Sequence, residues 1–199
     1  MKLFPWLALI VVTAACGGGD DTISSEEQAR RAYFGLDESI AASMTLGFAG
    51  FNAASSANIP PQSAMGIVGG TLTITGQVDQ GSSSNKGMRL KVGMVAYTDG
   101  VVVIDGKPTD VNIVYDTSAA SPPALTMQLK SIPTGTLDGT LIGDYAMTGD
   151  IDGSATLNLT FSGRLMDAGG GKVVRVPGMT HVTGSAVSGA GTYAVDITL

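Results

Sequence analysis

Few residues in this chain can do chemistry. Its 199 residues include one cysteine, Cys16, and one histidine, His181. A Ser-His-Asp triad on His181 is formally available. The chain lacks, however, the Gly-x-Ser-x-Gly elbow that lifts a nucleophilic serine above an α/β-hydrolase sheet. In Met179-Thr180-His181-Val182 the histidine reads as a polar strand or turn residue. Zinc needs three or four ligands from His, Cys and carboxylates, and one of each soft ligand does not make that set. Asp138, Asp144, Asp150 and Asp152 lie close in sequence and loosely resemble a calcium loop. The EF-hand pattern also requires further oxygens and a distal Glu, so these acids read as β-turn residues. No particular pair of acids stands out as a glycosidase pair. Gly169-Gly170-Gly171 has no Lys-Ser/Thr opening a helix after it, and reads as a hairpin between Leu165 and Val173 rather than a phosphate loop. The residues imply no cofactor and no metal.

Cys16 has the most informative surroundings. Met1-Lys2 is a short positive start, Leu3 to Val12 is an apolar run broken only by Pro5, and Thr13-Ala14-Ala15 places small residues before Cys16. These are the parts of an export signal with a small-residue cleavage site. The run is about half the ~20 residues needed to span a bilayer. A lone cysteine in an exported chain has no internal disulfide partner, and lipidation accounts for it.

Thr13-Ala14-Ala15-Cys16 resembles the lipobox of bacterial lipoproteins, with Thr13 where that family more often carries Leu or Val. The resemblance covers about twenty residues. It implies cleavage after Ala15, thioether-linked diacylglycerol on Cys16 and an acylated amine (palmitate in type). One acyl chain holds a protein only marginally, at about 0.8 kcal/mol per buried methylene, whereas two or three hold it firmly. Residues 16–24 then form a flexible tether that includes Gly17-Gly18-Gly19-Asp20-Asp21. Gly17 follows the cysteine, in place of the Asp that commonly retains enteric lipoproteins in the inner membrane, so the resemblance favours the outer membrane.

The remaining residues, 25–199, suit one domain. Net charge is −6 and 14% of residues are charged, with Lys and Arg scattered, so nucleic acid is not an expected partner. The 28 glycines alternate with strand-like runs, as in a turn-rich β domain.

One helix is expected over about 25–57. Ser24 or Ser25 can cap it, and Glu27 stands at the capping-box spacing from Ser24. Tyr33, Leu36, Ile40, Met44, Gly47, Phe48 and Phe51 form one helical face, and Pro60-Pro61 ends the run. No charged residue occurs between Glu38 and Asp79. A helix without a charged face needs cover on most sides. Gly47 and Gly50 each cost about 1 kcal/mol of helix propensity relative to Ala, which close approach to another backbone would offset.

Strands follow over about 65–199. Leu72, Ile74 and Val78 alternate with polar residues, as do Met88 to Ala96, Leu125 to Lys130, Leu157 to Leu165 and Tyr193 to Leu199. Period-two runs mean one dry and one wet face, hence antiparallel pairing. Asp99-Gly100, Asp105-Gly106, Asp138-Gly139 and Asp152-Gly153 are turn candidates. Thr134 to Gly139 echoes Thr148 to Gly153, which reads as similar hairpin chemistry in successive turns. The expected class is α+β: an N-terminal helix packed on, or cradled by, a curved antiparallel sheet of about eight or nine strands, a half-barrel or barrel. Met44, Met88, Met94 and Met127 fall on the dry faces and read first as core.

The leading function from these residues is a non-enzymatic binding or structural module, anchored in the cell envelope through acyl chains on Cys16. Its partners would be the membrane itself and either an apolar ligand or an envelope protein. The alternative is a carrier or acceptor of apolar cargo. That architecture is similar to the half-barrels of lipoprotein-localisation factors, although no motif supports the comparison. A periplasmic or surface hydrolase ranks third.

Overall fold

The computed structural model describes residues 26–104, 107–110, 112–189 and 191–199. Cys16, the tether, the Ser24 and Ser25 caps and the Asp105-Gly106 turn lie outside the described residues. One helix, α1 (Glu26–Ala53), precedes eleven strands: β1 (Gln62–Met65), β2 (Gly69–Val78), β3 (Lys86–Thr98), β4 (Val101–Ile104), β5 (Lys107–Asp110), β6 (Ile113–Asp116), β7 (Ala124–Lys130), β8 (Thr136–Gly149), β9 (Gly153–Gly169), β10 (Lys172–Ser188) and β11 (Gly191–Thr198).

Nine strands form one antiparallel sheet in the order β1-β2-β3-β6-β8-β9-β10-β11, while β4 and β5 make a separate hairpin. Strands β6 and β7 share one position between β3 and β8. Lys86 to Lys91 pair with β7, and Tyr97 further along pairs with Tyr115 of β6. The segment between β6 and β7 is pinned at both ends. Thr117 exchanges hydrogen bonds with Met94, and the Val92 amide donates to Pro123. Among the described residues no hydrogen bonds join β1 to β11, so the sheet is open.

Helix α1 packs on this sheet, meeting β1, β2, β3, β10 and β11, and it also meets β4 of the separate hairpin. It thus touches both edge strands. The face foreseen from spacing is the buried one: Leu36, Ile40, Met44 and Phe48 are at most 3% exposed. Gly47 faces the side chains of β3 and β7. A Cβ there would stand 2.7 Å from Met127 Cε and 2.9 Å from Leu90 Cδ1. The buried serine hydroxyls of the helix bond to its own backbone, Ser43 to the Ser39 carbonyl at 2.7 Å and Ser39 to the Gly35 carbonyl at 3.2 Å. A serine that bonds four residues back can be buried without a partner outside the helix. Tyr115, from β6, donates to the Ala32 carbonyl at 2.9 Å, and Tyr33 donates to the Ala186 carbonyl at 3.2 Å, tying the first turns to opposite halves of the sheet.

The core lies between helix and sheet. Leu72, Met88, Leu90, Met127, Tyr145 and Leu159 are among its fully covered side chains. The four dry-face methionines, Met44, Met88, Met94 and Met127, are all buried there.

Two expectations need correction. The helix ends at Ala53, short of residue 57, because Asn58 bridges to Gln77 and the Ile59 amide donates to the Gly76 carbonyl, starting sheet pairing early. Asp138-Gly139 is no turn. It lies inside β8, where Gly139 leaves room for the Phe161 ring from β9. Both echo segments, Thr134–Gly139 and Thr148–Gly153, cross successive hairpin turns, the first between β7 and β8 and the second between β8 and β9. Asp99-Gly100, Asp152-Gly153 and Gly169-Gly170-Gly171 do sit at strand connections.

Candidate functional site

A concavity lies at the C-terminal end of α1, where the helix meets the start of β10. Asn52 builds this junction. Its side-chain amide donates to the Val173 carbonyl at 2.8 Å and its carbonyl accepts from the Val173 amide at 2.9 Å. The helix thereby satisfies a backbone position where the β9–β10 register slips. A second slip follows between Arg175 and Thr180, so Val176-Pro177-Gly178-Met179 bulges away from β9. Proline has no amide to give to a ladder, which suits it to a bulge.

Between the helix and this bulge lies an open groove of about 680 Å³, lined by Thr45, Phe48, Ala49, Asn52, Ala53, Lys172, Val174, Arg175 and Pro177. Its walls are mostly carbon. Thr45, Asn52 and two cations, Lys172 and Arg175, are the polar lining, and among the described residues that line it there is no carboxylate. Arg175 is half-buried, and its Nη1 is shut off from solvent without a hydrogen-bond partner. Burial holds the Arg175 guanidinium below its ordinary pKa. A guanidinium presents five donors and no acceptor, so a covered nitrogen with no oxygen beside it carries an uncompensated desolvation penalty.

The second concavity is smaller, about 300 Å³, on the polar outer face of the sheet, lined by Asp138, Gly139, Thr160, Phe161, Ser162, His181 and Thr183. His181 lies in a strand, directly across from Ser162 of β9. Its Nε2 is 2.6 Å from Asp196 Oδ1, with both side chains largely exposed. A serine, a histidine and an aspartate thus lie near one another, an arrangement no sequence spacing revealed. Among the described residues no hydrogen bond joins Ser162 to His181. The surrounding strand amides face their ladder partners, which leaves no aligned pair of N–H donors for an oxyanion.

The four clustered acids are dispersed by the fold. Asp138 pairs with Lys130 at 2.7 Å, Asp144 accepts from Thr156, Asp150 accepts from the Asn112 amide and Asp152 from the Gly149 amide. Among the described residues no group of three or more His, Cys, Asp or Glu is placed to hold a metal. Burial raises the pKa of Tyr33, Tyr97, Tyr115 and Tyr145, so these phenols remain protonated. Among the described residues no helix is long and apolar enough to cross a membrane.

The groove residues were missed from the sequence because they come from two distant segments. One local signal was present: Arg175 interrupts the apolar run Val173-Val174-Arg175-Val176. No protein family, curated protein or solved structure matches this chain.

Proposed function

We propose that this chain is an envelope lipoprotein, lipidated on Cys16 and held at the outer membrane, whose folded part is a non-enzymatic binding module. The observation that carries the binding reading is the carbon-walled groove between α1 and β10. Its size falls in the roughly 300–1,000 Å³ range of small-molecule sites. Leu36, Ile40 and Met44 on the helix's buried face are covered by the sheet, so we read the open sheet as a half-barrel that cradles the helix, with this groove open at the helix's C-terminal end. A carrier of apolar cargo would use the same groove. The anchoring reading rests on the lipobox-like Thr13-Ala14-Ala15-Cys16 and on Cys16 being the sole cysteine.

Mass spectrometry of the N-terminal peptide tests the anchor. Cleavage before Cys16 with acyl mass on the cysteine is expected, and Cys16→Ser should release or mislocalise the protein. An unmodified Cys16, or a cut elsewhere, sinks the proposal.

The hydrolase reading has one observation in its favour, the neighbouring Ser162, His181 and Asp196. Their exposure on an open sheet face and the lack of an oxyanion pocket weigh against it. Any activity found should survive His181→Ala within a small factor. A loss of a hundredfold or more with the fold intact would reinstate the hydrolase, because a missing general base typically removes 10²–10⁴-fold.

A further inference from the structure

We infer that the groove at the α1–β10 junction recognises a single-chain fatty carboxylate, its tail along Phe48, Ala49, Ala53 and Pro177 and its carboxylate on Arg175 with Lys172 beside it. The inference rests on the binding reading above and names its ligand class.

Two features of the groove point to this chemistry. The walls are apolar on both sides, from small helix residues and from Val174 and Pro177 of β10. Two cations, Lys172 and Arg175, line the groove, in a protein whose net charge is −6. Apolar walls alone would suit any hydrocarbon. The two cations add the demand for an anionic acceptor, and among the described lining residues no carboxylate meets it. A ligand's carboxylate does so with two oxygens, matching the planar fork of a guanidinium. A neutral alcohol offers one weaker acceptor, and a bare alkane offers none.

The chain's own acyl groups are the competing occupant, and they reach the groove only with the tether laid back along the helix. Thr45, the nearest lining residue on the helix, lies nineteen residues beyond the helix start at Glu26, about 28 Å along the axis at 1.5 Å per residue. Ala53 lies at the far end of the helix, about 40 Å away on the same rise. The ten steps from Cys16 to Glu26 span at most about 33–36 Å fully extended. The tether would have to run straight back along the helix merely to deliver its lipid to the near end.

Photolabelling tests the inference on the full lipidated protein in phosphatidylcholine nanodiscs. The probes are a diazirine-bearing palmitic acid and the matching diazirine-bearing alcohol, with labelled positions read by peptide mass spectrometry. The acid should label the segments around Phe48 to Ala53 and Val174 to Pro177 about tenfold more than the alcohol does. Arg175→Gln should erase that preference, and Arg175→Lys should keep most of it. The acid–alcohol comparison on the unmodified protein needs no variant, so a misfolded Arg175→Gln cannot obscure the result. Equal labelling of the groove by acid and alcohol would overturn the carboxylate inference and leave the binding module standing. Absence of label from the groove with both probes would overturn both. Acid labelling that appears only in Cys16→Ser would show that the protein's own lipid fills the groove, and would overturn recognition of a free ligand.

Discussion

Replacing Phe48 by alanine should destabilise the protein by about 3–5 kcal/mol, the usual range for a buried phenylalanine. The side chain is 2% exposed, sits on the helix's buried face and also forms part of the groove wall. Its removal takes apolar area out of the core and joins the resulting void to a space already open to solvent. For a domain of this size each kcal/mol shifts the melting temperature by roughly 2–4 °C, so a fall on the order of 10 °C is expected. Thermal or urea unfolding followed by circular dichroism measures it. A loss below about 1 kcal/mol would mean that the C-terminal half of α1 is not seated on the sheet as described. The same variant should take up bulkier apolar probes than the wild type, because the groove then extends inward.

Raising the pH from about 4 to 8 should lower stability, and Asp37→Asn should remove most of that dependence. Asp37 lies on α1 and its carboxyl is pushed up to about 7, first by burial and then by the neighbouring Glu38. A carboxyl whose folded pKa exceeds its unfolded one binds more protons in the folded state between the two values. Its contribution is therefore complete below the unfolded pKa, near 4, and is lost as pH rises through about 7. The amplitude is on the order of a few kcal/mol at most, since a tenfold change in proton affinity corresponds to about 1.4 kcal/mol and partial solvation reduces the effect. Melting curves of both proteins at several pH values between 4 and 8 provide the check. The asparagine variant should be the more stable at pH 8 and nearly level with wild type at pH 4. Parallel curves would show that Asp37 ionises freely in the folded protein.

The legible parts of the fold were those governed by a single period. Leu72 to Val78, Met88 to Met94 and Leu157 to Leu165 alternate cleanly, and each is a strand with its apolar side inward. Leu36, Ile40, Met44 and Phe48 recur at helical spacing and are buried together. Strand β10 was obscured because the bulge at Val176-Pro177-Gly178-Met179 interrupts its alternation. The four-residue β4, β5 and β6 are too short to show any period. Glycine misled in one place for a definite reason. Gly139 is required by the Phe161 ring lying against it, a contact between strands that local turn rules cannot register. The groove was illegible for the same reason on a larger scale, since Phe48 and Arg175 are 127 positions apart (175 less 48) and are brought together by contacts between helix and strand such as the Asn52–Val173 pairing.

The helix touches both ends of an open sheet, and this fixes the order in which the molecule can form. Helix α1 is synthesised first, yet the Tyr33 hydroxyl finds its acceptor only at Ala186, 153 residues later. Until β10 and β11 exist, an uncharged helix surface has cover on one flank alone. Such non-local closure is slow, because the loop entropy is lost before the contacts compensate for it. A chain cut short before Lys172 would keep most of its strands but would lose the wall that seats the helix. Truncation from the C-terminus should therefore act as an all-or-none switch on folding, and a chain of this design can be threaded through a narrow passage in an extended state until its last thirty or so residues emerge.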